Sequence, residues 1–461
     1  MMRCPLCVKS TTLVMLVASS CFPPALEQAD GGAETQGSRE TLEPVADTAD
    51  EADEPRLTLL VSRLDHSSLD ILFLVDNSFS MLDEQIALAD ALPDFFDRLG
   101  AFGLPSIHVG VISPDLGGFD DAIPICQGHG DGGALQVTPR IEGCQPPSPE
   151  PWIRDTISGN IRLTNYQGTL AESFACIGQL GTQGCGFEQH LAAIERATSP
   201  DHVGNAGFLR SDAKLAVIIL ADEDDCSASD RRLFEWQDDP ELGPPGSFRC
   251  SEFGLRCDGR SLEQRPGVFE ECVVWTESPY LEEPRLYAQT LLDRKGEGSV
   301  FVAAIVAPGS GVEVVPDPMT GGYRVADVCG ALNSDAIPGI RFQAFLDHFP
   351  GSSRRYSICG ADFKDEFAQL GQDLAALGGG PTCIAPYAGD PASCRVFDVV
   401  DLGGVAEVRN EIKRCTGANT PCFELKASRD TCPATDHNLL LTVDRPRTPV
   451  PGTVLVVECD P

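Results

Sequence analysis

Positive charge is scarce in this chain. Lys and Arg number 34 against 69 Asp and Glu, and the formal charge is −35 over 461 residues. That balance excludes nucleic acid and an anionic membrane surface as electrostatic partners. Catalytic signatures are missing as well. There is no G-x-S-x-G and no H-E-x-x-H, and no ordered base stands beside a nucleophile. The seven histidines, His190 and His348 in or near helical stretches among them, read as structural or exposed. The run Gly128-His129-Gly130-Asp131-Gly132-Gly133 lacks the Lys and Ser/Thr of a phosphate loop, so His129 reads as an exposed loop residue. Asp222-Glu223-Asp224-Asp225 lacks the alternation and Gly of an EF-hand. It reads as a solvated acidic loop, with a second cation site as the alternative. No 20–50-residue repeat is present.

Cysteine, by contrast, is plentiful at 19 residues. The only short C-x-x-C pair is Cys4-Pro5-Leu6-Cys7, so paired zinc motifs are absent and disulfides in an oxidising compartment are the expected use. The first residues fit export. Arg3 and Lys9 precede a short, mostly apolar core, Thr11 to Val17, too short to span a membrane as a mature helix. Ala18-Ser19-Ser20-Cys21 resembles a bacterial lipobox, with Ala18 where Leu, Val or Ile is usual; ordinary cleavage nearby is the alternative. Residues 1–20 are then a lipoprotein signal peptide and Cys21 the lipidated first mature residue. Removing Cys4, Cys7 and Cys21 leaves sixteen cysteines, an even number that suits eight bridges.

Between Glu27 and Glu54 there are ten acidic residues and one basic residue, Arg39. Such a stretch cannot bury enough surface to fold, so 21–56 is expected to be a self-repelling, disordered tether. From Leu57 the pattern alternates. Leu57 to Arg63 reads as an edge strand, Leu69 to Val75 as a central parallel strand, Leu82 to Leu99 as a helix that Pro93 should kink or break, and Ile107 to Ser113 as the next strand. Leu215 to Leu220, Ser299 to Val306 and Arg355 to Ile358 are further strands. Glu188 to Ala197, Pro284 to Lys295 and Phe363 to Leu377 are further helices. The βαβ order predicts an α/β fold with a doubly wound, mainly parallel sheet over 57–378. A disulfide-rich insertion, 226–272, interrupts it, and residues 309–350 read as an irregular excursion. Gly378-Gly379-Gly380-Pro381 marks a boundary, and the β-branched runs beyond it predict a small disulfide-held β module over 379–461. Short-range pairing is expected within Cys126, Cys144, Cys176 and Cys185; within Cys226, Cys250, Cys257 and Cys272; between Cys329 and Cys359; and within Cys383, Cys394, Cys415, Cys422, Cys432 and Cys459.

The central strand runs straight into Asp76-Asn77-Ser78-Phe79-Ser80, and Leu215–Leu220 runs into Ala221-Asp222. Alternate positions of the first segment send a carboxylate and two hydroxyls to one side, and hard oxygens at low charge suit Mg²⁺. Two strand ends that each deliver an acid build a site at the rim of a parallel sheet. D-x-S-x-S after one strand and a lone Asp after a later one resemble the metal-ion-dependent adhesion site of von Willebrand factor A (VWA) domains, over roughly residues 69–378. The resemblance implies Mg²⁺ (or Mn²⁺ or Ca²⁺) held by Asp76, Ser78, Ser80 and Asp222. It also implies a Thr from the loop before a later helix, for which Thr182 is the candidate, with Glu188 as its alternative and Thr169 a poorer one. It further implies a protein ligand whose Asp or Glu completes the metal's shell.

The expected protein is therefore non-enzymatic and exported. It sits in the bacterial cell envelope, periplasmic or surface-exposed, touches the membrane only through its lipid, and mediates cation-dependent recognition or adhesion. The rival readings are a structural envelope component whose metal only stabilises the fold and, more weakly, a metallohydrolase.

Overall fold

A computed structural model describes residues 57–62, 68–100, 104–118, 126, 128–139, 143–158, 161–330, 336–360, 362–377, 382–384, 390–400, 406–417, 421–428, 439–444 and 454–460. The leader, Cys21 and the acidic stretch lie outside these residues.

Ser68–Val75 is buried along its whole length, so its sequence reads as one apolar run instead of alternating. Period-2 geometry still divides it. Leu69, Ile71, Phe73 and Val75 enter one core, and Leu72 and Leu74 enter the other. Around it a seven-stranded sheet takes the order Ser353–Ser357, Val300–Val306, Lys214–Leu220, Ser68–Val75, Ser106–Ile112, Ile153–Ser158, Ile161–Thr164. The first five are mutually parallel. The last two form an antiparallel edge hairpin in a stretch that reads only as Gly-, Pro- and Asp-rich.

Helices Leu82–Leu99, Leu170–Gly178 and Lys364–Leu377 contribute to the first core, where Phe73 meets Phe95 and Phe174 edge-on at 5.8 and 4.4 Å. Helices His190–Thr198, Pro284–Lys295 and Ile340–Leu346 contribute to the second. Pro93 neither breaks nor ends its helix, which runs unbroken from Leu82 to Leu99. The apolar face on either side of it (Leu88, Ala91, Leu92, Phe95, Phe96, Leu99) is buried. Burial of each large side chain stabilises by about 1.5–3 kcal/mol, enough in sum to offset the roughly 3 kcal/mol that an interior proline costs.

The insertion is not held by bridges alone. Helix Phe248–Gly254 and strands Leu255–Cys257, Arg260–Ser261 and Cys272–Val274 give it structure of its own. Gly267–Phe269 pairs with Val312–Pro316, which pairs with Tyr323–Val325, so the insertion and the excursion share a sheet. A small core of Phe248, Leu255, Val312, Val314 and Val325 lies beneath. The 309–350 stretch is thus ordered, and short strands of three to five residues are what its sequence pattern could not resolve.

Seven bridges join Cys126 to Cys185, Cys144 to Cys176, Cys226 to Cys250, Cys257 to Cys272, Cys329 to Cys359, Cys394 to Cys459, and Cys415 to Cys422. Each joins members of one expected group. Cys432 and the Cys383 side chain fall outside the described residues.

The second large sheet runs Leu57–Ser62, Val454–Cys459, Arg395–Val400, Val408–Arg414, Cys422–Ala427, Leu439–Asp444, Thr382–Ile384. Leu57–Ser62 therefore belongs to this sheet and not to the parallel one, a correction to a first domain beginning at residue 57. Its period-2 apolar character fits either sheet; only the partner, Val454–Cys459, decides. Val396, Ile412, Phe423, Leu441 and Val457 form this sheet's own core.

Candidate metal centre

Two strand ends are tied together at the carboxyl rim of the parallel sheet. The Asp76 N–H donates to the Leu220 carbonyl at 3.0 Å, so Asp76 and Asp222 leave neighbouring strands side by side. Asp76 then turns the chain, its Oδ1 accepting from the Ser78 N–H at 2.7 Å. The Ser78 and Ser80 hydroxyls lie 3.2 Å apart. Gln85 fastens the neighbouring loop. Its Nε2 donates to the Asp76 and Gly181 carbonyls, and its Oε1 accepts from the Gly181 N–H at 2.9 Å. The Gly184 N–H donates to the Asn77 carbonyl, and the approach is so close that any Cβ at 184 would collide with the Asn77 side chain.

Ligand atoms of Asp76, Asp222 and Glu223 lie within 4.8 Å of one another. Asp222 is fully buried, yet neither of its carboxylate oxygens makes a hydrogen bond of good geometry, with Glu223 and Ser80 as its polar neighbours. Burial, then the charge of Asp76, raises its pKa against the pull of Glu223 and Ser80. Ser78, Ser80, Gly184, Gly186, Glu188 and Glu223 line a cavity of about 300 Å³ that Phe248, Ser251 and Arg324 wall from the insertion and the excursion. Burial pushes the Glu188 and Glu223 carboxyls well up, and nearby carboxylates push them further. These are clustered hard oxygens, and those of Asp222, with Oε1 of Glu188 and Oε2 of Glu223, make no hydrogen bond of good geometry, a donor set that fits a divalent cation. Asp76, Asp222 and Glu223 would hold it, with Ser78 and Ser80 as neutral donors.

The other expected residues fall as follows. Thr182 is half-buried and does not line the cavity, whereas Glu188 does. Pinning at Gly181, at Gly184 and by Cys126–Cys185 fixes the loop so that its far end reaches inward. Thr169 caps helix Leu170–Gly178 in a reciprocal capping box with Glu172, well occupied elsewhere. The acidic run is not a solvated loop. Asp224 accepts backbone N–H bonds from Ile340, Arg341 and Phe342 and caps their helix. Asp225 is paired with the buried Arg341 at 2.9 Å and accepts from the Leu191 N–H. Of the run, Asp222 and Glu223 are the two that cluster with Asp76.

Of the two readings expected for it, structural or exposed, His190 takes the structural one, and does so at the site itself. It is fully buried, and its Nε2 lies 2.9 Å from Asp76 Oδ2, with its ring edge-on to Phe342 at 5.1 Å. It holds the first carboxylate in place. The sole hint in sequence is its position at the start of a helix just after Glu188.

No protein-family model matches the sequence, and no curated protein matches it. Solved structures do resemble it. The pilus adhesin SpaC of Lactobacillus rhamnosus GG, in its open conformation, is 12% identical with a TM-score of 0.33, covering 89% of this chain and 41% of that one. A von Willebrand factor type A structure from Catenulispora acidiphila is 10% identical, TM-score 0.28, covering 89% and 67%. The pilus adhesin RrgA of Streptococcus pneumoniae is 9% identical, TM-score 0.28, covering 87% and 57%. The chain thus spans about two-fifths of the SpaC chain's length. Likeness at this level assigns neither fold nor function.

Proposed function

We propose that this is an exported VWA-type protein that binds a divalent cation at the carboxyl rim of its parallel sheet and uses that face to recognise another protein at the cell envelope. The observation that carries the reading is Asp222: a fully buried carboxylate, neither oxygen in a hydrogen bond of good geometry, beside Asp76 and Glu223. An ionised group in that position is costly unless a cation meets it. The D-x-S-x-S segment after the central strand and the parallel strand order support the family assignment. Seven disulfides support an oxidising compartment outside the cytosol. Among the described residues no helix is long and apolar enough to cross a membrane. Lipidation at Cys21 is the proposed means of retention, checked by whether Cys21→Ala releases the protein from the detergent phase.

Calorimetry on the full chain tests the cation. Mg²⁺, Mn²⁺ or Ca²⁺ should bind and, at a hundredfold excess over Kd, stabilise the fold by about 2.7 kcal/mol through mass action. Asp76→Ala should abolish binding while leaving a folded protein, and equal binding by both proteins would refute the site. Capture of an envelope protein that survives chelator, with cation binding intact, would move the reading to a purely structural ion.

A further inference from the structure

The geometry points to a carboxylate-rich cation site in which Glu188 and Glu223 join Asp76 and Asp222, giving a preference for Ca²⁺ over Mg²⁺. This rests on the cation reading above and specifies it. Glu188 is only 2% exposed, lines the cavity with Ser78, Ser80 and Glu223, and its Oε1 has no hydrogen-bond partner. Glu223 likewise carries a buried, unpartnered Oε2. Among the described residues no Lys or Arg forms an ion pair with any of these four acids, and the His190 ring nitrogen lies 2.9 Å from Asp76. Arg341 is engaged by Asp225 and the Glu282 carbonyl, and Arg324 is exposed at the cavity wall.

Mg²⁺ keeps several waters and binds through one or two carboxylates in a tight octahedron, whereas Ca²⁺ takes six to eight oxygens at longer, more tolerant distances. Glu188 and Glu223 line the cavity with the Ser78 and Ser80 hydroxyls, and Asp76 and Asp222 cluster with Glu223 beside it, an oxygen-rich set that matches the second description. The count also alters what a partner can bring. Four carboxylates over-neutralise a divalent ion, so the filled site stays anionic and repels an Asp or Glu. A partner would meet it with a neutral oxygen or a cationic group, unlike the acidic residue that the sequence resemblance implies.

Titration calorimetry of the full chain with CaCl₂ and MgCl₂ tests this. Ca²⁺ should bind at least about tenfold more tightly than Mg²⁺, and Glu188→Gln and Glu223→Gln should each weaken Ca²⁺ by about tenfold or more and narrow the preference. Both variants should melt, metal-free, no lower than wild type, since each removes one of several like charges; a lower melting point would mark the carboxylate as structural and count against the proposal. Equal or tighter Mg²⁺ binding, or Glu188→Gln with unchanged Ca²⁺ affinity while Asp76→Ala abolishes binding, would overturn the proposal and leave the cation site standing. Binding of neither ion to wild type would overturn both.

Discussion

Asp222 and its neighbours make pH a direct probe of single residues. Burial pushes Asp224 up to about 6 from 3.8, against the pull of Arg341; burial and then the charge of Asp76 raise Asp222, and burial and then nearby carboxylates raise Glu188 and Glu223. Above their unfolded values the folded chain keeps protons that the unfolded chain has released, so the contribution of these groups to metal-free stability declines as pH rises, for Asp224 between about 4 and about 6. Asp222→Asn should therefore melt higher than wild type at pH 7 in chelator, and the gap should close below pH 4. An unchanged gap across that range would remove the carboxylate from the account. Added cation should reverse the order, because only wild type binds it. The residues most legible in sequence are those whose signal is local: Asp76, Ser78, Ser80 and Asp222 each follow an apolar strand. Gln85 and His190 were not legible. A polar residue in a helix reads as part of its solvated face, and only packing against a distant loop shows otherwise.

Helices and loops show where pattern reading stops. Strands of seven or eight buried residues and amphipathic helices came through because each carries its own period. The three-residue strands of the insertion did not, because a period of two cannot be established in three positions. One contact between helices is tight enough to test. A Cβ on Gly371 would fall against the Phe95 carbonyl and lie 2.9 Å from Cβ of Arg98, where helix Lys364–Leu377 crosses Leu82–Leu99. Gly371→Val should destabilise by about 1–3 kcal/mol in denaturant melts. The loop that carries Glu188 offers a second test. Replacing Cys126 and Cys185 by Ser opens a closure spanning 59 residues and should cost about 2–4 kcal/mol. Cation affinity should fall with it; unaltered affinity would show that Gln85 and Asn77 hold the loop unaided.

At the scale of the whole molecule, the described residues include two seven-stranded sheets, one mainly parallel and one largely antiparallel. The glycine cluster at 378–380, which reads as a domain boundary, was visible in the sequence. The return of Leu57–Ser62 to the last strand was not, because nothing local names a partner almost 400 residues away. A chain beginning at Ser68 should leave Val454–Cys459 as a bare sheet edge, lowering the melting temperature and promoting aggregation. The same pairing has a mechanical side. Any tension arriving along the chain ahead of Leu57 must first strip six residue pairs from Val454–Cys459, a strand that Cys394–Cys459 staples covalently to its other neighbour. Asp76 comes only afterwards along the chain. The strand acts as a strain relief: a pull on the amino-terminal side passes into the second sheet through that pairing before the covalent chain leading to Asp76 has to carry it alone.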